Sequence, residues 1–332
     1  LRCSDAKEKI MTYPGGQLPS YEQLPVRDGA PERSSWGVFG DDDQAGTINL
    51  LGPDEVLNAA RLVRRGKVFS LNWDLEQPDP PLSGRRALKH TIYRDAVGTD
   101  DYYDCFYTQR SSQWDALCHI RHPEYGFYNA CPPEQVTGKP GSRNGIDNWA
   151  RRGITGRFIL ADIGRAREQA GRPLDQKAAE GIPPEEIATV LSSSGVSPRQ
   201  GDILLLRSGW ISWYEAASIE DRAYAAGSPG EIGTPGLAHQ ESVAQWLWDQ
   251  HFAAVVTDGP ALEMLPVDPS SLDTFLHIRL IALLGIAIGE LFQLDELAAD
   301  CASDGVYEGM FVAAPLNKVG GSGSPANAVA IK

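Results

Sequence analysis

Long apolar runs are missing from this 332-residue sequence: the longest, Leu280 to Ile288, is far shorter than the roughly 20 residues needed to cross a bilayer. No membrane span is expected. Basic charge is also scarce, with 30 Lys and Arg against 44 Asp and Glu and a formal net charge of -14. No basic stripe exists to release counterions from a phosphate backbone, which excludes a nucleic-acid partner. Neither GxGxxG nor a P-loop is present, so the two commonest nucleotide signatures are absent, and no internal repeat is found. The five cysteines, Cys3, Cys105, Cys118, Cys131 and Cys301, are odd in number, irregularly spaced and without a CxxC pair. Reduced thiols are expected, not a disulfide framework or a cysteine-bound structural zinc. The start, Leu1-Arg-Cys-Ser, has no Met and no apolar signal core. It is expected to be a processed or trimmed start of a cytoplasmic protein.

What is present is a globular composition, 42% apolar, in a length that suits one large domain or two. The first fifty residues are rich in Pro, Gly and acids and are expected to wrap the surface. We place the boundary so that residues 1–35 form an N-terminal surface-wrapping segment and 36–332 the folded domain. Asp54 is the expected N-cap of a helix from Glu55 to Arg64, with Val56, Ala59, Ala60 and Val63 at helical spacing and Gly66 as its stop. Short apolar strands are expected at Val68–Leu71, Phe158–Ala161, Ile203–Leu206 and Ala253–Thr257, and helices at Pro184–Ser192 and His239–Gln250. The mixed order, broken by Pro- and Gly-rich loops at 122–148 and 224–236, indicates an α/β protein without simple alternation.

The segment Gln109-Arg-Ser-Ser-Gln113-Trp-Asp115-Ala-Leu-Cys-His119 places two amides, a carboxylate and an imidazole in eleven residues. Positions 109, 113, 115 and 119 share parity, so an extended backbone would send all four to one face. A strand continuing through the segment would separate Asp115 from His119 by roughly 13 Å. A turn after Asp115 is therefore expected, and a helical one would return His119 to its side. Cys118 is read as a small buried residue in preference to a nucleophile. Each polar residue also admits an ordinary structural role, as a backbone partner, a helix cap or a core histidine.

A second segment runs from Phe275 through His277 and Gly285 to Glu290 and Phe292. A helix through Leu284, capped by Gly285 and followed by a strand at Ile286–Ile288, would bring His277 and Glu290 to the same end. Glu290 stands in an apolar run where an unpaired carboxylate is costly, so it calls for a cation. A divalent metal shared with His277 would satisfy both, and oxygen with imidazole suits zinc or manganese.

Together the two segments resemble the metal-dependent hydrolases of the cyclase, or kynurenine formamidase-like, family. The family signature, His-x-Gly-Thr-His-x-Asp-x-Pro-x-His, is in frame with Gln109 to His119, with Gln in place of both early histidines. That Gln-xxx-Gln-Trp-Asp-xxx-His variant resembles the subgroup typified by trans-dienelactone hydrolase. Trp36 to Leu51 is similar to the family's Trp-Gly motif, Gly201 to Trp210 to its central strand, and Gly320 to Asn327 to its C-terminal loop. The resemblance implies a single domain of the swivelling β/β/α type, an α/β architecture with a mixed sheet and flanking helices, assembled as a homodimer or homotetramer. It also implies that Gln109, Gln113, Asp115, His277 and Glu290 bind a divalent metal, Zn2+ or Mn2+, and that His119 is the acid-base residue.

The expected activity is metal-assisted hydrolysis of a small-molecule lactone, ester, formamide or cyclic amide, with His119 as general base. Glutamine oxygens are weaker donors than imidazole, so zinc is expected to be held less tightly and manganese to be favoured, or Gln109 not to ligate. Trp36, Trp114 and Trp210 are candidates to wall a pocket, although such residues are more often core. Two rivals are a metal-free acid-base enzyme using Asp115 and His119 for cyclisation or dehydration, and a non-catalytic small-molecule binding protein with a decayed site. His90, His122, His239 and His251 carry no assignment.

Overall fold

A computed structural model describes residues 18–332; Cys3 and the rest of 1–17 lie outside the described residues. In chain order the strands are β1 (Val68–Ser70), β2 (Lys89–Arg94), β3 (Thr99–Asp104), β4 (Gln113–Asp115), β5 (Ile154–Asp162), β6 (Gly181–Ile182) and β7 (Ile203–Arg207). They are followed by β8 (Gly236–Leu237), β9 (Ala254–Thr257), β10 (Ala287–Glu290), β11 (Glu308–Ala313), β12 (Gly323–Pro325) and β13 (Ala328–Ile331). Nine of these form one sheet in the order β1-β13-β11-β5-β7-β9-β10-β4-β12.

Its centre, β5-β7-β9-β10, is parallel and both wings are antiparallel. The parallel strands are apolar and buried along almost their whole length, as strands covered on both faces must be. Helix Pro53–Ala60 packs on β5 and β11, Pro184–Ser193 on β5, and Ile163–Gln169 on β7. One main hydrophobic core runs from Tyr21 to Ala330. The result is a single mixed α/β domain with flanking helices, as expected. Strands β2 and β3 form a separate hairpin with nearly every residue exposed.

Residues 19–21 lie against helix Glu241–Asp249, where Asp249 accepts the Tyr21 N–H and the Trp248 indole donates to the Pro19 carbonyl. Tyr21 and Leu24 are buried in the core. The first long helix begins earlier than expected. Pro53 takes its first position, Gly52 is the N-cap in place of Asp54, and Glu55 Oε2 accepts the Gly52 N–H at 2.9 Å. The helix ends at Ala60, and the chain beyond it turns through Leu62 and Val63 before Gly66.

The expected reversal at Gly285 is present in a wider form. Ile278–Leu283 is a π-helical turn, Gly285 has φ +64°, and the Ile286 N–H returns to the Leu280 carbonyl at 2.8 Å. Strand β10 then runs back to Glu290. The three tryptophans considered as pocket walls, Trp36, Trp114 and Trp210, are all core residues.

Candidate functional site

Strand β4 sits between β10 and β12, with Gln113 opposite Glu290 and Asp115 opposite Ile288 and Gly323. Alternation sends Gln113 and Asp115 to one face and Trp114 to the other. The Trp114 indole packs edge-on against Trp149, Phe292 and Phe311 and donates to the Ala326 carbonyl. Gln109 precedes the strand in a turn closed by Arg110 N–H to Tyr107 O, so an extended run through all four polar positions is not what forms. Its amide nevertheless reaches Asp115, with Nε2 donating to Oδ1 at 2.5 Å and lying 3.2 Å from His119 Nδ1.

Past Asp115 the chain turns tightly, His119 N–H to Ala116 O at 2.8 Å, without forming a helix. This still places His119 Nε2 3.9 Å from Asp115 Oδ1. The Cys118 thiol is buried, with its Sγ near the Gly321 carbonyl, and burial pushes its pKa up to about 12. That removes it as a nucleophile at neutral pH.

His277, at the start of the π-helical turn, completes the cluster. Its Nε2 lies 3.2 Å from Glu290 Oε1 and 3.5 Å from Asp115 Oδ2. One ligand atom from each of Asp115, His277 and Glu290 lies within 4.8 Å of the others, and all three residues are buried. Gln113 Nε2 donates to Glu290 Oε2 at 2.6 Å, and the Leu262 N–H donates to Glu290 Oε1 at 2.9 Å. Five of the six residues expected in the site therefore lie in one hydrogen-bonded or charge-paired group around Asp115 and Glu290, and His119 stands at its edge.

Glu263 is a member of this group that sequence reasoning missed. It is fully buried, and its Oε2 lies 2.6 Å from His277 Nδ1 while Oε1 accepts the His277 N–H at 3.3 Å. The contact fixes the ring with Nε2 aimed at Asp115 and Glu290, the arrangement in which a second carboxylate orients a ligating histidine. A carboxylate between Leu262 and Met264 was the available signal, of the same kind that drew attention to Glu290.

Electrostatically the cluster holds more negative charge than its imidazoles balance. Burial opposes a charge on His277, but the carboxylates of Glu263, Asp115 and Glu290 overcome it and hold the ring's pKa well above the ordinary value. Burial, then the nearby Asp115 carboxylate, pushes Glu290 up. Burial acts the same way on Asp115, yet His119, His277 and the Gln109 amide bring it below the usual carboxylate range. Asp115 Oδ2 and Gln113 Oε1 are buried oxygens with no hydrogen-bond partner. Two orphaned oxygens among buried carboxylates, with an oriented imidazole beside them, fit a divalent cation in size, charge and donor type.

The site opens on one side. His119 is 27% exposed at its side chain while Asp115 is 1% exposed. Burial, partly opposed by Asp115 and reinforced by the positive charges of His277 and Arg85, holds the His119 pKa below its ordinary value. The imidazole is therefore neutral at neutral pH and able to accept a proton. Two cavities, of about 560 and 310 Å3, lie elsewhere and are lined by none of these residues.

Residues 64–264, more than half of the chain, match the sequence profile of the Cyclase family. A crystal structure of a novel cyclase is 32% identical over 90% of this chain and 99% of its own, with a TM-score of 0.79. Isatin hydrolase A from Labrenzia aggregata, bound to benzyl benzoate, shares the fold at 16% identity and a TM-score of 0.56, over 80% of this chain and 93% of its own. An isatin hydrolase bound to the product analogue thioisatinate does so at 14% identity and a TM-score of 0.57, over 84% of this chain and 95% of its own. No curated protein matches the sequence. The sequence profile and the 32% identity agree with the fold and with the segments that carry the candidate site: the chain belongs to the Cyclase family.

Proposed function

We propose that this protein is a metal-dependent hydrolase of a small molecule with a scissile carbonyl–heteroatom bond, a lactone, ester, formamide or cyclic amide. The observation that carries this reading is the buried Asp115, His277 and Glu290 cluster with two orphaned oxygens, set beside a neutral, partly exposed His119. Membership of a family whose fold is shared with isatin hydrolases supports it.

Asp115, His277 and Glu290 would hold the ion, Zn2+ or Mn2+, with Gln113 adding its unpartnered Oε1. Gln109 turns its amide nitrogen toward Asp115, so it positions that carboxylate and the His119 ring; as a ligand it would have to present its oxygen. A divalent cation supplies Lewis acidity, which polarises a carbonyl and makes water more acidic. His119 takes the proton from the attacking water at its exposed edge and returns it to the leaving group. Asp115 stabilises the imidazolium formed between those steps. Trp114, on the far face of β4, fills the core behind the site and excludes water from that side.

The metal-free rival, an Asp115–His119 acid-base dyad, is disfavoured by the 3.9 Å separation, which is too long for a hydrogen bond. The placement beside trans-dienelactone hydrolase rests on Gln109 and Gln113 and forms part of this proposal, as does homodimeric or homotetrameric assembly. Elemental analysis of purified protein is expected to find about one divalent ion per chain. Chelation is expected to abolish turnover of a panel of lactones, aryl esters, N-formyl anilides and cyclic imides. Full activity without metal would overturn the metal's role, and inactivity on the whole panel with zinc or manganese supplied would overturn the hydrolase.

A further inference from the structure

Regular alternation along β10 and beyond it would place Ala287, Gly289 and Leu291 on the Trp114 face of the sheet, and Ile288, Glu290 and Phe292 on the face that carries Gln113 and Asp115. Phe292 is not there. Its ring packs edge-on against Trp114 at 5.2 Å, and a Cβ added at Gly289 would come within 2.7 Å of it, so the ring lies on the Trp114 face. One residue has dropped out of the alternation. It is Leu291, buried and with φ +56°, a left-handed backbone that a bulky residue adopts only at a cost in strain. Its side chain is diverted into the cluster of Trp73, Trp210 and Tyr214. The Phe292 ring is thereby kept away from the face that carries Glu290.

Leu291 is held at both ends of its backbone. Its N–H donates to the Gly259 carbonyl at 3.0 Å, and its own carbonyl accepts the Ser112 hydroxyl at 2.5 Å. Ser112 stands where the next pair of the β4–β10 ladder would fall, one step past Gln113 opposite Glu290. The backbone pairing stops there, and the hydroxyl bonds in its place. Ser112 is buried, its Oγ also accepts the Trp73 N–H at 2.7 Å, and its carbonyl accepts the Ala326 N–H at 2.8 Å. A hydroxyl has one hydrogen to donate, and here it is committed to Leu291.

We propose that Ser112 is a positioning residue of the metal site: by holding Leu291 in the left-handed conformation it keeps Phe292 on the Trp114 face and fixes the Glu290 carboxylate. It rests on the metal-dependent hydrolase reading for what Glu290 binds, and on the backbone alone for how Glu290 is held. Glu290 is the residue next to the turn, with Oε2 on the Gln113 amide and Oε1 on the Leu262 N–H, so a change in the turn is passed to both contacts. Removing the hydroxyl leaves the Leu291 carbonyl and the Trp73 N–H without it in a buried setting. Leu291 then relaxes toward an extended backbone, which restores the alternation and swings Phe292 toward the ion.

The test measures zinc affinity, by competition with a chromophoric chelator, on folded wild-type protein, Ser112→Ala, Ser112→Thr and Ser111→Ala. Ser112→Ala is expected to bind zinc about tenfold or more weakly, and Ser112→Thr, which restores the hydroxyl, to recover most of the loss. Ser111 is the control: its hydroxyl donates to the Asp74 carbonyl at 2.8 Å, beside Trp73 in the chain, and not to Leu291, so Ser111→Ala should leave zinc affinity unchanged. Wild-type affinity in Ser112→Ala, or an equal loss in Ser111→Ala, would overturn the assignment. Should Ser112→Ala not fold, Ser112→Cys keeps the shape with a weaker donor: a loss of about threefold or more supports the proposal, and no loss overturns it. A crystal structure of the metal-free Ser112 variant gives a readout that needs no ion. Leu291 at negative φ, with Phe292 moved off Trp114, is the expected result, and an unchanged Leu291 and Phe292 would overturn the proposal. If the wild type binds neither zinc nor manganese, the metal reading falls and that structure alone decides Ser112.

Discussion

Glu263 Oε2 lies 2.6 Å from His277 Nδ1, and both residues are buried, so the orientation of the one candidate imidazole ligand is set by a carboxylate that is not itself in the cluster of ligand atoms. Replacing Glu263 with Leu is expected to weaken metal binding about 10- to 100-fold, and Glu263→Gln, which keeps an acceptor oxygen, to weaken it less. Competition with a chromophoric chelator measures this directly. Wild-type affinity in a folded Glu263→Leu protein would remove Glu263 from the site.

His119 and His277 are expected to fail in different ways. His119→Ala should retain its metal and lose turnover by about 100- to 10,000-fold, because only the proton acceptor is gone. His277→Ala should lose both metal and activity. Metal content measured alongside kcat separates the two, and an active His119→Ala protein would end its assignment as the base.

Gln113 offers the test of donor strength. Its Oε1 is buried and unpartnered, and an amide oxygen is a weaker donor than imidazole. Gln113→His is expected to tighten zinc binding and to raise the preference for zinc over manganese. Weaker zinc binding in a folded variant would show that position 113 serves Glu290 through its amide hydrogen bond and not the ion.

A fourth experiment concerns stability away from the site. Asp300 receives Lys67 at 2.8 Å, Lys332 at 3.0 Å and Arg65 at 3.0 Å. The Lys67 contact, opposed by burial and followed by Lys332 and Arg65, holds its carboxyl well below the usual carboxylate range. A depressed folded-state pKa stabilises the fold above the unfolded value, near pH 4, and that contribution fades as pH falls toward the folded value. Asp300→Asn should therefore lower Tm by about 2–4 °C at pH 7, with the gap from wild type narrowing below about pH 4. A gap that widens on acidification would contradict the pairing.

The parts of the site that were legible in the sequence are those that local geometry governs. The turn after Asp115 and the reversal at Gly285 follow from spacing and from one glycine, and they bring Asp115, His119, His277 and Glu290 into reach of one another. Glu263 was not read from the sequence, because its pairing with His277 is set by how the chain between them packs. The core strands β5, β7 and β9 announced themselves as apolar runs. Strands β2 and β3 did not: both are polar, pair only with each other and bury nothing, so no hydrophobic period marks them. The N-cap at Gly52 was missed because Pro53 starts the helix one position before the acidic pair that signals it.

The opposed faces of β4 have one further consequence. A slip of one residue against β10 would turn the Trp114 indole toward Glu290 and drive Gln113 and Asp115 into the aromatic cluster of Trp149, Phe292 and Phe311. Such a slip would bury two polar side chains in an aromatic nest and expel the largest side chain of the strand. Trp114 thus acts as a register lock: the same packing that completes the core commits Gln113 and Asp115 to their positions, and the polypeptide cannot finish folding without also assembling that part of the chemistry.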